Sequence, residues 1–156
     1  GQAAADEAAV SEDVEIRAAR ASDLDAIHRL ERACFPVPWR REFFDSELYQ
    51  SGRVCLVAIE EGRLIGYVFA MTVLDEMHIN KIAVAEEVRR RGIAVAMMNR
   101  CLQAARSRDV QLLSLEVRQS NQAAQDFYRF LGFEPSYVRP RYYPDGEAAV
   151  IMTRRI

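Results

Sequence analysis

The chain has 156 residues, of which 50% are hydrophobic and 28% charged, and its formal net charge is −2. That balance predicts one globular domain with a packed core and excludes the basic footprint of a nucleic-acid binder. No apolar run is long enough to span a membrane, no secretory leader is read, and Cys34, Cys55 and Cys101 fit neither a disulfide framework nor a zinc site, as expected of a reducing cytoplasm.

Residues 1–13, rich in Ala, Glu and Asp, are expected to form a disordered tail, with 14–156 as a single domain. Val14 to Ala18 reads as a first strand. Ser22 is the expected cap of a helix from Asp23 to about Cys34, with Leu24, Ile27, Leu30 and Cys34 on one face. Phe35-Pro36-Val37-Pro38-Trp39 breaks that helix, and a short helix from Arg41 to about Tyr49 follows. Val54 to Glu60 and Leu64 to Val73, joined by Glu61-Gly62, read as a hairpin. Met77 to Ala85 is the next strand, and an amphipathic helix runs from Ile93 to Arg106. Gln111 to Val117 is a strand. Ser120 or Asn121 caps a helix through about Leu131, which Gly132 stops. Ser136 to Tyr143 and Ala148 to Arg154 form the expected last strand pair, joined by Pro144-Asp145-Gly146-Glu147. The order β-α-α-β-β-β-α-β-α-β-β predicts an α/β sandwich around a mixed sheet.

The most informative stretch is Arg89-Arg90-Arg91-Gly92-Ile93-Ala94, between a strand and a helix. A strand that turns through a basic, glycine-containing loop into a helix makes a seat for a diphosphate. The loop amides and the positive end of the helix dipole converge on the anion, Gly92 lets the backbone approach closely, and arginine supplies charge. The same run read alone is also compatible with a solvated charge cluster.

Five other positions carry candidate chemistry. Glu116 alternates into the apolar strand Gln111 to Val117, where desolvation would raise its pKa and make it a general base; alternatively it pairs with a cation such as Arg118. Tyr128 is either a core aromatic or a proton donor. His78 is either a structural histidine or a proton carrier on its strand. Tyr142 and Tyr143 either wall a substrate groove or simply pack. His28 and His78 lack metal-ligand spacing, so no metal is expected.

Taken together, these segments resemble the GNAT superfamily of acetyl-CoA-dependent N-acetyltransferases over about Ile16 to Met152. The family's R/Q-x-x-G-x-G/A signature is matched by Arg89 to Ala94. Closer likeness is to bacterial ribosomal-protein-alanine N-acetyltransferases of the RimI type. It rests on Asn80-Lys81-Ile82-Ala83-Val84, Leu115-Glu116-Val117-Arg118-Gln119-Ser120-Asn121, Phe127 to Phe133, and Arg141 to Ala149, where Ala148 stands in place of the usual Asp. The resemblance implies a mixed, mostly antiparallel twisted sheet flanked by helices on both faces. It implies acetyl-CoA bound by Ile82, Ala83 and Val84, by Arg89, Arg90, Arg91, Gly92, Ile93, Ala94 and Val95, and by Asn121. It assigns Glu116 as general base and Tyr128 as general acid, and places Trp39, His78, Tyr142, Tyr143 and Glu147 on the peptide, with Glu147 pairing a basic residue further along it. The implied acceptor is a protein N-terminus, a ribosomal protein beginning with Ala or Ser. The alternatives are a lysine or small-molecule amine, or acetyl-CoA binding without catalysis. A monomer or weak dimer without a metal is expected.

Overall fold

A computed structural model describes residues 13–156. The expected tail therefore lies outside the described residues, apart from Asp13. Seven strands, β1 (Val14–Ala18), β2 (Arg53–Glu60), β3 (Arg63–Val73), β4 (Glu76–Val84), β5 (Leu112–Arg118), β6 (Glu134–Arg139) and β7 (Ala149–Arg155), form one sheet in the order β1-β2-β3-β4-β5-β7-β6. Every neighbouring pair is antiparallel except β4 and β5, which are parallel. Among the described residues four α-helices complete the fold: α1 (Leu24–Cys34), α2 (Arg41–Leu48), α3 (Ile93–Ser107) and α4 (Gln122–Phe130).

Alternation along the strands gives each sheet face its own core. On one face Met97, Met98 and Leu102 of α3 bury against Val68 and Ala70 of β3 and Leu113, Leu115 and Val117 of β5, with Ala124 and Tyr128 of α4 packed at the margin. On the other, Leu24 and Ile27 of α1 and Phe44 of α2 bury against Val57, Tyr67, Phe69 and Ala83. Gly66 lets α3 lie close to the sheet, because a Cβ there would stand 3.1 Å from Met97 Cε. Phe44 is fully buried and meets Tyr67 and Phe69 edge-on, with ring centroids 5.6 and 5.0 Å away. Phe44→Ala should therefore destabilise the fold by about 3–5 kcal/mol. Urea denaturation checks this, and a loss under about 1 kcal/mol would mean that the second core does not hold α2 in place.

Two irregularities of β4 shape the surface beside β5. First, Phe69 pairs with Lys81 and Ala70 with Ile79, so Asn80 is an extra, bulged residue. The bulge turns the consecutive residues Asn80 and Lys81 toward the α1–α2 side, where they reach Glu47 and Glu31 respectively. Second, β4 pairs with β5 only from Glu76 to His78. Beyond that level the two strands part, leaving the β5-side backbone groups of Ile79 to Val84 without a strand partner.

Several boundaries differ from expectation. Ser22 does not cap α1. A 3₁₀ turn, Ala21–Asp23, precedes the helix, and the Asp23 carboxylate accepts from the Arg20 amide at 2.8 Å and from the Arg17 guanidinium at 2.8 and 2.9 Å. A carboxylate with charge-assisted bonds outcompetes the neighbouring hydroxyl. The first strand of the last pair starts and ends earlier than expected: β6 runs Glu134–Arg139 rather than Ser136 to Tyr143, while β7 lies one residue later than expected. Pro140 has no amide to continue a ladder, Arg141 has φ +51°, and the amides of Tyr142 and Tyr143 both reach back to the Glu147 carbonyl at 3.1 Å. The tyrosine pair thus sits on a closed turn, not on a strand.

Candidate active site

Where β4 and β5 part, a groove of about 900 Å³ opens. Its floor includes Ile82, Ala83 and Val84 of β4; one end is the loop before α3, and one wall is the start and inner side of α4. Of the residues expected to hold the cosubstrate, Ile82, Ala83, Val84, Arg89, Arg90, Gly92, Ile93, Ala94, Val95 and Asn121 all line it, and so does Tyr128. Arg91 does not: its guanidinium turns to the Glu60 carboxylate, with one hydrogen bond of 3.1 Å. The side chain of Arg91 therefore turns to β2 and away from the groove.

The start of α3 is built to receive an anion. Gly92 stands at the helix N-cap with φ +79°, and Arg90 two residues earlier has φ +67°. The first helical bond runs from the Ala96 amide to the Gly92 carbonyl at 3.0 Å. The amides of Ile93, Ala94 and Val95 precede it and have no partner inside the helix. No side chain caps this end, and its first turn holds no acidic residue. Free amides, the dipole of a 15-residue helix and a left-handed glycine together fit a diphosphate. Arg89 is held nearby by its Nε bond to the Val84 carbonyl at 3.1 Å. Asn121 uses its carbonyl to cap α4, accepting from the Ala124 amide at 3.1 Å, which leaves its NH₂ and the second lone pair of its carbonyl for a ligand.

On the α1–α2 side of the same gap, Glu116 is held from two directions. Its Oε1 accepts from the Tyr142 hydroxyl at 2.8 Å, and its Oε2 meets Nε2 of His78. Nδ1 of His78 faces Oδ1 of Asn80 at 2.5 Å. The sequence expectation that desolvation would raise the pKa of Glu116 is corrected here. Burial does push it up, but the hydrogen bond and charge of His78 and the Tyr142 hydroxyl outweigh that, and the carboxyl is held below its ordinary range. His78 shows the converse balance: burial lowers its pKa, Glu116 raises it by more, and the imidazole ends above its ordinary value. Burial, then Glu116, pushes Tyr142 up to about 12, so it stays a neutral donor. Arg118, the alternative partner weighed for Glu116, binds Asp145 and Glu147 instead, both at 2.9 Å.

The remaining expected residues divide. Tyr128 sits between Phe127 and Phe133 on the groove wall, and burial raises its pKa to about 12. Tyr143 stacks under the Arg118 guanidinium, 4.1 Å from its ring centroid. Glu147 is engaged within the chain: it accepts from Ser120, whose amide lies at 2.9 Å, and from Arg118 at 2.9 Å, and these bonds lower its pKa to about 2. It therefore pins the 142–147 turn over β5, and pairing with a peptide cation would compete with these bonds. Trp39 packs on Phe43 and Phe44.

Sequence reasoning missed the support beneath Trp39. Glu31, fully buried on α1, receives the Trp39 amide at 2.9 Å, the Tyr67 hydroxyl, and the Lys81 ammonium at 3.1 Å. Lys81 Nζ also lies 3.7 Å from the Phe35 ring centroid, and Phe35 lines the groove. This knot ties the Phe35–Trp39 loop to β3 and β4. Spacing held a faint signal, since Glu31 is four positions after Ile27 and so shares its helix face.

Comparison with known proteins agrees with this geometry. The acetyltransferase (GNAT) family model matches residues 24–133. The chain is 34% identical over 137 residues to the ribosomal protein bS18-alanine N-acetyltransferase of Escherichia coli (strain K12), covering 84% of this chain and 90% of that one. It is 31% identical over 155 residues to an N-alpha-acetyltransferase of Saccharolobus solfataricus, covering 91% and 93%. The crystal structure of the ribosomal-protein-S18-alanine N-acetyltransferase from Escherichia coli superposes with a TM-score of 0.82 at 32% identity, covering 92% of this chain and 94% of that chain. With the family spanning most of the chain, and an anion cradle, a groove and a paired carboxylate along one gap in the sheet, the chain belongs to the GNAT acetyltransferase family and is an acetyl-CoA-dependent N-acetyltransferase.

Proposed function

We propose that this enzyme acetylates the N-terminal α-amine of a protein beginning with a small residue, a ribosomal protein being the expected substrate. The observation that carries this reading is Glu116, held ionised by His78 and Tyr142 beside the gap and roofed by the 142–147 turn. The relatives named for an alanine terminus, at 34% identity over most of the chain, support the small first residue. Residues 14–156 act as one catalytic domain on this reading. A monomer or weak dimer is part of the same proposal. Among the described residues no helix is long and apolar enough to cross a membrane, and a cytoplasmic setting is part of the proposal.

Each group has a distinct task. Acetyl-CoA supplies an activated acyl carbon; the cradle at Gly92 to Val95 takes its diphosphate, and Arg89 and Arg90 add charge. The free backbone amides on the β5 side of β4 are donors for charge that develops on the acyl oxygen. The peptide enters on the α1–α2 side, between the Trp39 loop and the tyrosine turn. Glu116 takes the proton of the attacking amine. Tyr128, kept protonated by burial, donates to the departing sulfur.

An α-amine suits a single carboxylate base. With a pKa of about 7.7–8.0 roughly a third of it is neutral at pH 7.5, against about 0.1% of a lysine at 10.4. One peptide in two forms tests the reading: free N-terminus without lysine, and blocked N-terminus with one lysine. Mass spectrometry should find the acetyl group on the α-amine, at a rate at least tenfold above that on lysine. Faster modification of the blocked, lysine-bearing form would assign the enzyme to side-chain amines instead.

A further inference from the structure

We infer that Asn80, oriented by Glu47 of α2, is a positioning residue that keeps a proton on Nδ1 of His78 and so leaves Nε2 free to take the amine proton from Glu116. The inference rests on the base role proposed for Glu116 and extends it to a two-site acceptor.

Donors and acceptors follow one another along a single row of side chains. At its far end Arg53 Nε donates to Glu47 Oε2 at 2.7 Å, and Glu47 is buried. The other oxygen, Oε1, faces Nδ2 of Asn80 at 3.4 Å. A carboxylate paired with arginine only accepts, so the amide of Asn80 must present its NH₂ to Glu47. Its carbonyl then faces His78, with Oδ1 at 2.5 Å from Nδ1. A carbonyl also only accepts, so Nδ1 must carry a proton. Nε2 meets Glu116 Oε2, a third acceptor. Two lone pairs cannot face each other at hydrogen-bond distance, so the His78–Glu116 pair at rest holds one shared proton, as imidazolium and carboxylate.

Strand alternation alone puts Asn80, two residues after His78, on the same face, and the bulge adds Lys81 to that face, where it turns to Glu31. Without the bulge, strand alternation would place Lys81 on the opposite face.

The charged and titratable groups around His78 come from five places. Glu76 lies on its own strand and Glu116 on β5. Tyr142 and Tyr143 lie on the turn, Arg139 acts on Glu116 from β6, and the Glu47–Arg53 pair acts through Asn80. The nearest charge is that of Glu116, and it favours the imidazolium. The working form is the pair after it has lost the shared proton, when the Nε2–Oε2 contact opens so that the two lone pairs no longer face each other. In that form the neutral amine attacks the thioester carbon and a C–N bond forms. The C–S bond breaks and its electron pair leaves on sulfur. The amine proton passes to Glu116 and then to Nε2, while the Nδ1 proton stays in its bond to Asn80.

The chain contains only two histidines, His28 and His78, so nitrogen NMR reads the tautomer directly. Long-range ¹H–¹⁵N spectra of the labelled, substrate-free enzyme are recorded from about pH 6 to 10, with His78→Gln for assignment. In the parent, neutral His78 should carry its proton on Nδ1. In Asn80→Ala the neutral proton should move to Nε2 and the titration midpoint should fall. The kcat should then drop by about 10–100-fold with KM for acetyl-CoA unchanged, and Asn80→Asp, which keeps an acceptor, should restore the Nδ1 proton. A parent enzyme with its neutral proton on Nε2, or an Asn80→Ala variant with tautomer and midpoint unchanged, overturns the inference. The spectra need no acyl acceptor, so an error over the substrate leaves this result intact.

Discussion

Glu116→Gln is expected to lower kcat by about 10²–10⁴-fold, the usual worth of a positioned proton acceptor, with acetyl-CoA affinity unchanged. Two features separate this variant from a general loss of structure. Gln keeps the shape of the side chain and can still accept from Tyr142. The pH–rate profile also has a predictable sign. In the parent, the His78–Glu116 pair must give up its shared proton before it can take one from the amine. The carboxylate raises the pKa of His78 above its ordinary value of about 6.5, so the acidic limb of kcat lies above that pH. Removing the charge leaves a half-buried imidazole with its desolvation uncompensated. Its pKa then falls, and the acidic limb of the residual activity moves to lower pH. The measurement is kcat across pH at saturating acetyl-CoA and peptide. A variant with near-parental kcat, or one whose limb moves to higher pH, would falsify the base assignment.

Much of the frame was legible because local periodicity and motif spacing are short-range properties. The seven strands and four α-helices appear in the predicted order, and the strand–loop–helix seat at Gly92 reads directly from Arg89 to Ala94. What was illegible depends on partners far apart in sequence. The expected pKa direction of Glu116 failed because it considered only the apolar strand; the decisive neighbours, His78 and Tyr142, lie 38 and 26 positions away. Arg91 reads as a third phosphate ligand until the fold brings Glu60 beside it, 31 positions upstream. Glu31 and Glu47 carry charges of a kind that usually faces solvent, yet both are buried, because Lys81 and Arg53 meet them from the sheet. The bulge that sends Lys81 to one of them leaves no trace in Ile79-Asn80-Lys81, since register is set between strands and not within one.

Gly92→Glu should abolish useful acetyl-CoA binding while leaving the fold intact. The backbone of Gly92 is left-handed at φ +79°, a conformation that costs a residue with a Cβ about 1–2 kcal/mol. That strain alone weakens the local geometry. The carboxylate adds a second effect, because it stands at the N-cap, within reach of the amides of Ile93, Ala94 and Val95. A capping carboxylate satisfies the donors that otherwise serve the diphosphate, and its charge repels the incoming anion. The two effects separate in a pair of variants. Gly92→Ala carries the backbone strain without the charge and should weaken binding by about tenfold, or ~1.4 kcal/mol. Gly92→Glu should weaken it by about 10²-fold or more, at least ~2.7 kcal/mol. The difference between the two should shrink as salt is raised, since the added repulsion is screened. Titration calorimetry with acetyl-CoA measures all three affinities, and a cooperative thermal transition in each protein shows that it is folded. Equal losses in the two variants would mean that the helix start contributes shape but no anion seat. An unchanged affinity in folded Gly92→Glu would move the diphosphate away from α3 altogether, leaving Arg89 and Arg90 as the next residues to test.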